Sequence, residues 1–160
     1  MDKFLRIYLN DQLALGLMWQ LARRAQRHNA GTDLGDALAH VSTAITEDIA
    51  TYRAMMHSLR MRTNPIKLGA VIIAERLGRG KLNGQLRGYS PLSRFTELEI
   101  LIMGIDRKKQ LWTTLSDIAE LPTRVPDIDF AELIDRAERQ RAELTPFRIR
   151  TGKDAFTRRR

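Results

Sequence analysis

An all-α fold is predicted by three features of the chain. Apolar residues recur at alternating spacings of four and three along several long segments. The prolines at 65, 91, 122, 126 and 146 punctuate those segments. No stretch alternates apolar and polar residues as a half-buried strand does, and no Asn-Gly hairpin signal occurs. Loops of four to ten residues between long helices favour antiparallel neighbours. The expected architecture is therefore an antiparallel four-helix bundle over residues 1–120, a linker and accessory helix packed on it over 121–147, and a flexible basic tail over 148–160.

The first helix is expected at roughly 3–28. Phe4, Tyr8, Asp11, Leu15, Met18, Ala22 and Ala25 form one stripe, and Leu5, Leu9, Leu13, Leu17 and Leu21 form a second. Such a many-sided apolar coat suits deep burial, and it equally offers a surface for a homodimer. After the turn Asn29-Ala30-Gly31-Thr32, Thr32 or Asp33 can cap a helix over about 33–62. Its seam, Leu34, Leu38, Val41, Ile45, Asp48, Tyr52, Met55 and Leu59, is interrupted only by Asp48. Asn64 and Pro65 open a third helix carrying Leu68, Ile72, Glu75, Arg79 and Leu82 on one stripe, with glycines at 78, 80, 84 and 88 near its end. Ser90-Pro91 opens a fourth, to about 120, with Leu98, Leu101, Ile105, Trp112, Leu115 and Ala119 on its apolar face. Asp129, with Glu132 three residues on, starts the fifth as a capping box would, and Pro146 is expected to break it.

The 160 residues suffice for one domain with a real core, and 43% apolar with 29% charged is a globular composition. Cysteine is absent, which removes disulfides, thiolate metal sites and cysteine nucleophiles together and favours the cytoplasm. The amino terminus shows no secretory pattern, and the longest charge-free helical run, residues 12–22, is short of the roughly 20 residues a bilayer span needs. The expectation is a cytoplasmic protein outside the membrane.

The net charge of +8 is unevenly spread. Residues 1–48 carry −1, residues 49–96 carry +8, residues 97–147 carry −4, and residues 148–160 carry +5. Segregation of this kind points to an anionic partner such as nucleic acid or another polyanion. Arg76, Arg79, Lys81, Arg87 and Arg94 are the candidate anion-binding residues. Residues 78–90 are glycine-rich and basic and precede a helix start, an arrangement that can cradle a phosphate, though the P-loop spacing is missing. The competing reading pairs these arginines with the acidic fourth and fifth helices.

Tyr8-Leu9-Asn10-Asp11, Lys81-Leu82-Asn83-Gly84, Gly88-Tyr89-Ser90-Pro91-Leu92-Ser93 and Glu97-Leu98-Glu99 resemble segments of small uncharacterised bacterial helical-bundle proteins, usually grouped with the ferritin-like superfamily. The resemblance covers roughly residues 3–120 and implies a ferritin-like four-helix bundle; it implies no activity. A ferritin-like di-iron or di-manganese centre would draw on Asp11, Asp48 and Glu75, placed on helical seams, with Glu99 or its neighbour Glu97 as a fourth carboxylate. The histidines of that pattern are missing: His28, His40 and His57 do not stand three residues after an acid. The alternative for the same carboxylates is pairing with buried arginines or with Tyr hydroxyls and Gln amides inside the fold, Arg79 with Glu75 for example. No catalytic set emerges, so the preferred reading is a non-enzymatic binding or assembly module, ahead of a metal-carboxylate protein and a purely structural protein–protein module.

Overall fold

The computed structural model describes residues 3–11, 15–61 and 89–157; the side chains of residues 11 and 15–17 are not described. Among the described residues all regular structure is helical and no strand is present. The α-helices are α1 (Lys3–Asp11), α2 (Leu15–His28), α3 (Asp33–Ser58), α4 (Pro91–Thr113) and α5 (Phe130–Thr157). None of them is long and apolar enough to cross a membrane. The first predicted helix is thus helical in two described pieces, and the predicted third helix lies outside the described residues.

Helix starts follow the capping chemistry of the sequence. Thr32, in extended conformation, accepts from the Gly35 N–H at 3.2 Å, and Asp33 and Asp36 place negative charge in the first turn of α3. Gly35 is required there, because a Cβ would fall 2.2 Å from the Asn29 carbonyl oxygen. Ser90 accepts from the Ser93 N–H at 3.0 Å with Pro91 at the first helical position. Asp129 Oδ1 accepts from the Glu132 N–H at 3.0 Å; the Glu132 carboxylate turns away to Arg139, 2.6 Å off, instead of closing a capping box.

Helix ends hold the surprises. α3 stops at Ser58 because Arg60 enters the left-handed region at φ 54°; its N–H then donates to the His57 carbonyl and that of Met61 to the Met56 carbonyl, a Schellman closure with arginine where glycine is usual. α4 passes at Thr114 into one π-helical turn, Thr114–Ile118, and a 3-10 turn, Leu121–Thr123, rather than running as α-helix to residue 120. α5 does not break at Pro146. The missing N–H would have met the carbonyl of Ala142, which is exposed, so water can take that acceptor. Beyond the proline, packing holds the helix to Thr157: Thr151 and Gly152 are buried, and Phe156 meets Phe95 edge-on at 5.3 Å.

The main packed pairs are α4 with α5, α2 with α3, α2 with α4 and α3 with α5. Their directions follow from who meets whom. Along α4 and α5, Phe95 meets Phe156, Glu99 meets Arg148, Lys109 meets Glu138 and Trp112 meets Phe130, so the two are antiparallel. Arg24 against Glu97 and Met18 against Gly104 make α2 antiparallel to α4. His40 against Glu143 and Asp48 against Arg136 do the same for α3 and α5. The C-terminal helix is thus a full partner in the core and longer than the accessory helix expected.

The predicted apolar seams are inside. Leu34, Leu38, Val41, Ile45, Tyr52 and Met55 of α3 are buried together with Leu98, Leu101, Ile105, Trp112 and Leu115 of α4 and the turn that follows it. They form two apolar clusters. One is built around Ala22, Leu38, Ile45, Leu101 and Leu144, the other around Leu9, Tyr52, Met55, Leu111, Trp112 and Leu133.

Candidate anion-binding surface

Of the residues expected to bind anions, Arg76, Arg79, Lys81 and Arg87 lie outside the described residues and only Arg94 is described. Of the carboxylates expected to hold metal, Glu75 lies outside them, the Asp11 side chain is not described, and Asp48 and Glu99 are placed.

Asp48 sits where the two apolar clusters meet, with its side chain 1% exposed. The Lys108 ammonium, fully buried, donates to Asp48 Oδ2 and to Gln140 Oε1. Gln140 Nε2 donates to the same Asp48 oxygen at 3.2 Å, and Arg136 reaches Asp48 Oδ1 at 3.3 Å. Burial pulls the Lys108 amine below its ordinary pKa, and the Asp48 carboxylate opposes that shift. Glu99 faces α5 and is held by Arg148 through two hydrogen bonds of 2.6 and 3.1 Å. Nine residues separate Glu99 from Lys108 along α4, about 14 Å of helix rise, so the two carboxylates belong to different levels of the core. Among the described residues no three of His, Asp and Glu gather closely enough to hold a metal ion.

The start of α4 is a different electrostatic setting. Tyr89 is stacked on His28 with ring centroids 4.3 Å apart, and its hydroxyl accepts from the buried Asn29 amide at 3.0 Å. Burial and the nearby Glu97 carboxylate push the Tyr89 hydroxyl up to about 12, so it stays a phenol. The Arg94 guanidinium lies 5.4 Å from the centre of that ring, a cation–π contact that fixes its plane. From α5, Arg150 lies 5.2 Å from the Phe147 ring centre. Arg94 and Arg150 line one cleft of about 280 Å³ between the starts of α3 and α4 and the last turns of α5.

Two stretches of basic sequence border this end, one of them, 62–88, running from Met61 in the Trp112 and Phe130 cluster to Tyr89. Tyr89 is the first described residue after residues 62–88, which carry six Lys or Arg against Glu75 alone. Phe156, on Phe95 of the first turns of α4, stands two positions before Arg158, Arg159 and Arg160. The reading that pairs the basic set with the acidic helices falls on Arg76, Arg79, Lys81 and Arg87, outside the described residues. The described arginines that do lie within 4 Å of a carboxylate are others, Arg24, Arg136, Arg139, Arg141 and Arg148. Arg94 and Arg150 make no such pair among the described residues.

Sequence reasoning missed Lys108, Gln140 and Arg150. The first two were readable: Leu101, Ile105, Lys108, Trp112 and Leu115 keep the four-and-three spacing, as do Leu133, Ala137, Gln140 and Leu144. A polar residue in each of three facing seams is the signature of a buried polar cluster. No local pattern signals Arg150, since the residues that face its own helix across the cleft, such as Arg94 and Asp33, are more than fifty positions away. Comparison of the chain with protein-family models, with curated proteins and with solved structures finds no match.

Proposed function

We propose that this protein is a non-enzymatic polyanion-binding module whose working surface is the end formed by the start of α4 and the close of α5. The reading rests on one observation: the basic residues 158–160 follow α5 at this end and the basic stretch 62–88 leads into Tyr89 here, beside two arginines that pair with no carboxylate among the described residues. Phosphate neutralisation by such a set releases counterions, which gives affinity without base recognition. The ring of packed pairs among α2, α3, α4 and α5 supports, as fold, an antiparallel four-helix bundle of the ferritin-like kind.

The test is fluorescence anisotropy of labelled single-stranded RNA and duplex DNA against salt, with the full chain. Five phosphate contacts on a duplex would cost about 500-fold in affinity between roughly 50 and 200 mM salt. Replacing Arg158, Arg159 and Arg160 by alanine should flatten that dependence. Shortening the chain at residue 144 would be the wrong probe, since it cuts through α5 ahead of buried Thr151 and Gly152. Absence of binding to either nucleic acid at low salt would sink the proposal.

A further inference from the structure

Beyond a salt-dependent surface, the end of the molecule contains a shaped cleft. Its volume, about 280 Å³, is room for about nine waters, more than a bare phosphate fills. Arg94 and Arg150 line it from different helices, and each has its guanidinium laid near an aromatic ring. The Arg94 Nε–H is buried and has no hydrogen-bond partner, so part of its donor fork is desolvated and unused.

The contrast with nearby charges makes this specific. Arg148, two residues before Arg150, is spent on Glu99, and Arg24 on Glu97. Asp154 stands one turn from Arg150 and lines the same cleft, as does Asp33, yet neither pairs with an arginine among the described residues. Two arginines and two carboxylates that form no ion pair with one another, in the lining of one cleft, suit a ligand with two kinds of polar group. Its anionic part would take the guanidinium forks, which match phosphate oxygens bidentately. Its neutral donors would go to Asp33 and Asp154, which as carboxylates accept only. The hydroxyls of Thr32 and Thr151, also in the lining, already donate to the Asn29 and Arg148 carbonyls, so toward a ligand they act as acceptors.

We infer that this cleft binds a phosphate group carried on a hydroxyl-bearing unit, a sugar phosphate, with Arg94 and Arg150 on the phosphate and Asp33 and Asp154 on the hydroxyls. The unit can be a free sugar phosphate or one nucleotide of a nucleic-acid chain; the shared chemistry is the same.

The test titrates the full, isotope-labelled chain with ribose 5-phosphate, inorganic phosphate and ribose while following arginine Nε–H resonances. Ribose 5-phosphate should move those of Arg94 and Arg150 saturably and leave that of exposed Arg107 in place. Arg94→Gln and Arg150→Gln should each weaken the titration by about tenfold or more, since each removes a charge-assisted contact. Arg107→Gln should not, with helicity checked for every variant. Displacement of ribose 5-phosphate by a short RNA identifies the nucleotide unit as occupant. RNA bound without displacement identifies the free sugar phosphate. No movement at either arginine overturns the inference even if nucleic acid binds elsewhere, and inorganic phosphate binding as well as the sugar phosphate overturns the role given to the carboxylates. Saturation by ribose 5-phosphate with no nucleic-acid binding would keep the cleft and remove the polyanion reading instead.

Discussion

The centre of the molecule and its α4-start end use the same chemical groups to opposite effect. At the centre, Lys108 and Asp48 are almost completely removed from water, and Gln140 and Arg136 add hydrogen bonds to the pair. At the end, Arg94 and Arg150 are partly open, lie against aromatic rings, and meet no carboxylate among the described residues. Charge closed upon itself inside a core sets geometry, since desolvation offsets most of its Coulombic gain. Charge fixed in place but left unanswered is what a ligand can use. The location of a charged residue therefore says less about its role than whether a partner already holds it.

The comparison is broken most directly at the centre. Lys108→Ala should destabilise the fold by about 3–5 kcal/mol in chemical denaturation, because it strands a buried carboxylate. Replacing the whole set, Asp48→Leu with Lys108→Met and Gln140→Leu, should recover most of that loss, since no buried charge is then left alone. A triple variant as unstable as Lys108→Ala would mean the polar cluster is stabilising in its own right. An intermediate case is the Glu99–Arg148 pair, each side chain more than a third exposed. Glu99→Gln should cost less than about 1 kcal/mol, as partly exposed ion pairs do. The smallest effect is expected at the end: Arg94→Gln or Arg150→Gln should change stability by no more than about 0.5 kcal/mol, because neither ion pair nor buried network is lost. A larger loss would show that these arginines are structural and would weaken the ligand assignment.

Much of the fold was legible because helices announce themselves locally. The seam from Leu34 to Met55 and the Ser90-Pro91 start appear where spacing and capping chemistry place them. The errors are of another kind. Pro146 looked like a stop because local rules weigh the lost N–H, while Gly152 packed against Phe95 and Phe156 beyond it are tertiary facts. Arg60 ends α3 in a conformation that favours glycine, which propensity could not anticipate. Asp48 interrupts an apolar seam, and two of its partners, Arg136 and Gln140, are of the arginine and glutamine kinds expected, while Lys108, at an equivalent seam position, is of a kind that was not. The cleft could not be read at all, since the start of α3, the start of α4 and the close of α5 meet only in three dimensions.

The buried cluster also bears on how the chain reaches its final state. Asp48 comes from the α2–α3 half and Lys108 from the α4–α5 half, so in either half alone the ion would lie on the face the other half covers, without its counter-ion. Gln140 gives Lys108 a neutral partner within its own half, yet the charge is balanced only when α3 docks. Sliding α5 by one turn along α4 would put Ala137 or Leu144 at the level of Lys108 and lose even that partner. Neither half can finish without the other, which makes assembly of the core an all-or-none event and separate folding of the two fragments unfavourable.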